Sequence, residues 1–237
     1  MTELGKIEKP SAEDFQKGKK LYFVPLLFSS ENAPEEYKKK VSVYWQQVSE
    51  QLNKLEGKIG SIKRIYHESI VQPGEDGLKM LEKLSPGSYQ VVKSKCENDA
   101  VLEAFENKEL LEETIDWERC IFAGLISQKV ARQVSDYYFE TSKKRAELLS
   151  KQITETLKED EVGLLFIQEE HKLQFAGDIK VFSIFPPVLD EIHRWLREPP
   201  EKDNESPAAD EETSKKDTET SETDDKSSKK DKEEKSN

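Results

Sequence analysis

Residues 161–197, EVGLLFIQEEHKLQFAGDIKVFSIFPPVLDEIHRWLR, decide the fold. Val162–Ile167 is a nearly unbroken apolar run of strand length, as a strand buried on both faces requires. Residues 179–185 form a second such run, with Ile179, Val181 and Phe182 followed by Ile184 and Phe185. Pro186-Pro187 closes that strand and can open a helix, because proline suits the first helical turn. Leu189, Ile192, His193 and Leu196 then recur at helical spacing. The link 168–178 is short for a parallel crossover, so the two strands, where neighbours, are expected to be antiparallel.

Immediately before this stretch lies the longest periodic element, residues 127–160. Val130, Val134, Tyr137, Tyr138, Thr141, Leu148, Ile153 and Leu157 line one side of a helix of roughly 30 residues, about 45 Å long. That exceeds the width of a small domain. Lys143-Lys144-Arg145 interrupts the stripe, so the helix either breaks there or projects and packs, in coiled-coil fashion, against a partner. Nearer the N-terminus, residues 21–28 (LYFVPLLF) read as a buried strand in which Pro25 calls for an edge position or a bulge. Glu35–Glu56 is an amphipathic helix with acidic residues at its start and Gly57 past its end. Residues 61–71 read as the next strand, 73–84 as a short helix, 89–92 as a third strand, and 100–125 as further helix. This alternation predicts an α/β fold: a mixed sheet with flanking helices and one long helix.

From Glu198 onward the chain has 15 Asp and Glu against 8 Lys and almost no apolar side chain. Such a segment cannot bury enough surface to offset the entropy of ordering, so a disordered acidic tail is expected at 198–237. A flexible segment at 1–19 and a single domain at 20–197 complete the division. The whole chain carries a net charge of −12. Phosphate-dominated binding needs clustered Lys and Arg, so no nucleic acid is expected. Two cysteines make no disulfide framework. The N-terminus does not read as a signal peptide, and no apolar run reaches membrane-span length. Together these predict a soluble cytoplasmic protein with no membrane contact.

Residues 145–197, with Ile65-Tyr66-His67-Glu68, Gly74–Leu78, Glu109-Leu110-Leu111-Glu112, Asp116-Trp117 and Arg119-Cys120, resemble a family of bacterial proteins to which no activity is attached. The resemblance covers roughly residues 20–197. A more distant likeness is to TraB/Tiki-type α/β proteins, some of them thought to be metal-dependent hydrolases with two Gly-x-x-His motifs and separate Glu and Arg residues. Arg64-Ile65-Tyr66-His67 and Gln168-Glu169-Glu170-His171 are the corresponding places, with Arg64 and Gln168 at the glycine positions. That likeness implies a divalent metal held by His67 and His171.

Independently of any family, His67-Glu68 and Glu169-Glu170-His171 fall where two apolar strands end, the position at which open α/β sheets bind ligands. Imidazole and carboxylate serve equally as metal ligands and acid–base groups. His67, Glu68, Arg145 and His171 are therefore the candidate catalytic residues. The competing reading makes the histidines satisfied strand-end and turn residues, and Arg145 part of a solvated face with Lys143 and Lys144. No P-loop, Rossmann fingerprint, nucleophile elbow or HExxH is present. Two function classes follow. One is a binding or assembly module contacting a protein partner or a second copy through the long helix and the acidic tail. The other is a hydrolase-like enzyme with a degenerate metal site near His67 and His171.

Overall fold

A computed structural model describes residues 17–197. The expected acidic tail and nearly all of the expected N-terminal segment lie outside the described residues. Within them the elements run β1 (Lys19–Pro25), α1 (Glu35–Glu56), β2 (Ile62–His67), α2 (Gly74–Leu84), α3 (Pro86–Cys96), β3 (Val101–Leu102), α4 (Lys108–Phe122), α5 (Gln128–Thr156), β4 (Val162–Ile167), β5 (Ile179–Ser183) and α6 (Pro187–Arg197). The strands form one sheet in the order β3-β2-β4-β1-β5. The α/β architecture with flanking helices and one long helix is as the sequence predicts.

Every strand pair is parallel, so the sheet is not mixed. β4 and β5 are not neighbours, because β1 lies between them and pairs with both. Residues 168–178 therefore make a parallel crossover with no helix. Length permits it: passing one intervening strand and returning along a short one needs about 10 Å sideways and ~17 Å back, within the ~36 Å that this segment can reach. Leu173, Phe175 and Ala176 hold the segment down by packing on the apolar cluster beneath it.

Alternation along the strands sends side chains into two cores. Tyr22, Val24, Ile65, Leu164 and Phe166 face one layer, where α1, α2, α3 and α6 contribute Tyr44, Val48, Leu81, Val92 and Ile192. Leu21, Phe23, Tyr66, Leu165 and Ile167 face the other, covered by Leu149, Ile153 and Leu157 at the end of α5. The central strand β4, VGLLFI, is buried throughout, which is why its sequence is apolar without alternation. Gly163 has no Cβ because one would stand 2.9 Å from Leu21 Cδ1 and 3.1 Å from the Tyr66 ring.

Three local expectations change. Pro25 is not on an edge strand: it is the last residue of β1, beyond the final β5 pairing at Phe23↔Ser183, where the missing donor costs little. Residues 89–92 belong to helix α3, which Pro86 opens at its first position. Two adjacent valines do not distinguish a strand from one turn of a buried helix. Gly87 lets α3 lie against α1, since a Cβ there would fall 2.2 Å from Trp45 Cδ1. Finally, Val101–Leu102 is a short edge strand, and the helix that follows starts only after Asn107, whose side chain accepts the Leu110 N–H at 2.9 Å.

Candidate functional site: the carboxyl edge of the sheet and a projecting helical hairpin

The connection after β2 leads toward β3, and that after β4 leads the other way, toward β5. Their carboxyl ends therefore flank a topological switch point. Glu68 follows β2 there, and the backbone N–H of Gln168, just after β4, donates to Glu68 Oε2 at 3.0 Å. Arg145 reaches this point from α5. Its Nη2 donates to Glu68 Oε1 at 2.9 Å, and its Nε to Glu106 Oε2 at 2.9 Å. A further Nη2 hydrogen bond joins Glu106 Oε1, which also accepts the Ser69 N–H at 3.3 Å. Ser69 itself holds a left-handed φ of 70°. Burial alone would lower the Arg145 pKa, but hydrogen bonding and charge from Glu106, then Glu68, hold it above the ordinary value.

Sequence reasoning named Glu68 and Arg145 separately as candidates, and the structure brings them together; it missed Glu106. Its side chain is wholly buried, yet it reads as one more acidic residue before a helix. Arg145 does not lie on the solvated basic face; its neighbours Lys143 and Lys144 do, pairing with Glu147 and Glu140 along the exposed helix. A triad with its charges facing one another is a clamp rather than an acid–base pair: four carboxylate oxygens are engaged, and the guanidinium is locked in its charged form. It ties α5 to the segments that follow β2 and β3.

The histidines do not join this site. His67 turns to the opposite layer, beside Phe166 with ring centroids 5.4 Å apart. Its Nδ1 lies 2.6 Å from the Glu68 carbonyl oxygen, to which it must donate, and Nε2 lies 3.0 Å from Ser88 Oγ, from which it accepts. Both nitrogens are thereby used, no lone pair is left for a metal, and burial pushes the pKa down to about 4. His171 sits on the crossover segment against Phe23, centroids 4.8 Å apart, with Nδ1 accepting the Leu173 N–H at 3.3 Å. Burial lowers its pKa too. The two imidazoles thus serve different layers and share no cleft. Among the described residues no group of three or more His, Cys, Asp or Glu is placed to hold a metal ion.

Arg145 stands level with the carboxyl ends of the strands, whereas Thr154 lies at their start, its carbonyl accepting from Lys19 Nζ at 3.3 Å. α5 therefore runs antiparallel to the sheet, and residues 128–144 extend about 25 Å beyond its carboxyl edge. The helix does not break at the basic run. α4 lies antiparallel along this extension: Trp117 stacks on Tyr137 at 4.9 Å, and Thr141 Oγ1 and Trp117 Nε1 both donate to Glu113 Oε1 at 3.2 Å. Among the described residues no hydrogen bond, ion pair or ring contact ties residues 110–144 to anything outside this hairpin and its Asn107 cap. Val134 and Thr141 are buried within it. Ile121, Phe122, Ile126, Val130, Tyr137 and Phe139 are exposed, Phe122 by 80% and Ile126 completely. Near its base a groove of about 540 Å³ opens between Leu110 and Leu148, bordered by Glu109, Glu113, Glu147, Lys144 and Lys151.

Compared with family models, with curated proteins and with solved structures, the chain finds no match in any of the three.

Proposed function

We propose that this chain is a binding or assembly module whose working surface is the α4–α5 hairpin, with the α/β body as its rigid mount. The observation that carries this reading is the exposed apolar tip and flank of an arm whose hydrogen bonds, ion pairs and ring contacts, among the described residues, stay within the hairpin. Large apolar side chains clustered on an exposed surface mark interaction sites. Here they sit on an arm that the Glu68–Arg145–Glu106 clamp ties to the body, so the surface is presented before any partner arrives. Preorganisation of this kind lowers the ordering cost of association. A protein is the partner class this suits, since an aromatic and aliphatic flank with scattered charges has the composition of a protein–protein interface. No helix among the described residues is long and apolar enough to cross a membrane.

The test is site-specific photo-crosslinking of the full chain in cells, with the crosslinker at Val130 or Tyr137 and, as control, at exposed Lys79 on α2. Crosslinked protein from the hairpin positions and none from the control is the expected result. Absence of any protein adduct from the hairpin overturns the proposal.

A further inference from the structure

We infer that the hairpin's partner is a second copy of this chain, the two arms lying antiparallel about a twofold axis that passes beside the Trp117–Tyr137 stack. This inference rests on the hairpin being a protein-binding surface and specifies what binds there.

Helical spacing places the pieces. Leu110, Trp117 and Ile121 recur on one face of α4, and Val130, Tyr137 and Lys144 at seven-residue steps on one face of α5. The apolar flank therefore runs the length of the arm, from the open groove at Leu110 and Leu148 to the tip at Ile121 and Val130. It ends in Phe122 and Ile126, the two most exposed large apolar side chains of the described residues. The arm thus carries an apolar knob at one end and, at the other, a groove with Leu110 and Leu148 among charged borders, about 18 Å away along α4. Midway between them, on this same face, lies the Trp117–Tyr137 stack, with Tyr137 49% exposed. A twofold axis there carries each tip onto the other copy's groove, a closed and self-complementary contact.

Charge selects this occupant and this direction. From Arg119 to Ser135 the tip has the basic residues Arg119, Lys129 and Arg132 and no acidic one. The base has Glu109, Glu112 and Glu113 on α4 beside Lys108, Lys143, Lys144 and Lys151, but each of these lysines pairs with a glutamate of its own helix. Lys129 and Arg132 at the tip, and Glu109 and Glu113 at the base, make no ion pair among the described residues. Antiparallel arms bring the basic tip of each copy to the acidic base of the other, twice over. Parallel arms would instead set the unpaired Lys129 and Arg132 against their own copies, and Glu109 and Glu113 against theirs, like charge on like charge.

Light scattering on the size-fractionated full-length protein should give a mass twice the 27.3 kDa of one chain. Tyr137→Glu, placing charges at the axis, should return the single-chain mass with an unchanged circular dichroism spectrum. Two further variants test direction. Lys129→Glu with Arg132→Glu makes the tip acidic; Glu109→Lys with Glu113→Gln makes the base basic while the glutamine still accepts from Trp117 and Thr141. Each should be monomeric alone, and the equimolar mixture should regain the dimer mass, because each tip then meets an opposite base. A monomeric wild type across the accessible concentration range overturns the inference, as does a mixture that stays monomeric. If such a monomer still crosslinks from Tyr137 to a different protein, the self-association is wrong and the binding-module reading survives. If it crosslinks to nothing and instead sediments with vesicles containing anionic lipid, both fall.

Discussion

The two halves of α5 lie in different environments. From Leu149 onward the helix lies on the sheet, with Leu149, Ile153 and the following Leu157 almost fully buried. Before Arg145 it lies on α4, and Val130, Tyr137 and Phe139 face outward. One unbroken helix therefore has two environments, and Arg145 stands at the boundary. A hydrophobic period specifies that a face will be covered. It does not specify by what.

Removing the boundary should have the largest effect. Arg145→Ala leaves Glu68 and Glu106 facing each other in a largely buried place without their shared cation, and losing one member of a buried ion cluster costs ~3–5 kcal/mol. Chemical denaturation should show that loss, and a change below about 1 kcal/mol would mean that water reaches the carboxylates freely. On the sheet-covered half, Ile153→Ala removes a fully buried side chain and should cost about 2–5 kcal/mol in the same measurement. Equal costs for Ile153→Ala and for truncations on the outer half would erase the distinction between the halves.

The body also carries a buried histidine, and the arm has no histidine. His67 is neutral and buried in the fold with its pKa pushed down to about 4, against about 6.5 unfolded. Its contribution is complete above the unfolded value, because between the two values only the unfolded chain takes up the proton. It is lost as pH falls from 6.5 towards 4, by roughly 3 kcal/mol over that range. His67→Gln should therefore flatten the acid side of the stability profile between those limits, besides any loss at neutral pH from broken contacts with Ser88. A wild-type profile already flat from pH 6.5 to 4 would show that the imidazole is not held neutral.

Much of this was legible in the residues and some of it could not be. Apolar runs at Val162–Ile167 and 179–185 gave strands, and the 3.6-residue period of Glu35–Glu56 gave α1, because burial on two faces and on one leave different patterns. Strand order left no such trace: parallel and antiparallel neighbours bury the same side chains, and the crossover 168–178 fell below the usual helical length. At the sheet edge, Glu68 stood out by position, whereas Arg145 also read as part of a solvated basic face, His67 was misjudged and Glu106 was missed. The direction a strand-end side chain takes depends on sheet pleat and on a turn such as Ser69, neither of which residue type encodes. His67 points into the layer beneath α3, so its neighbour in the chain, Glu68, is what meets the arginine.

The smallest expected stability change is the one that separates the arm from the body most cleanly. Tyr137 touches Trp117 and otherwise faces out, at 49% exposure. Tyr137→Glu keeps a residue that helices accept readily and adds a charge where there is room for its hydration. For the isolated chain the change in unfolding free energy should stay within about ±0.5 kcal/mol, as for surface positions away from core, cap or network. Stability must be read at a dilution where the wild type is monomeric, since association adds its own concentration-dependent increment to whatever binds the native state. Under that condition, a loss of 2 kcal/mol or more would mean that the outer half of α5 is core after all, covered in solution by part of its own chain. A change near zero, with the apparent mass halved at higher concentration, would place the value of Tyr137 wholly in contact between molecules.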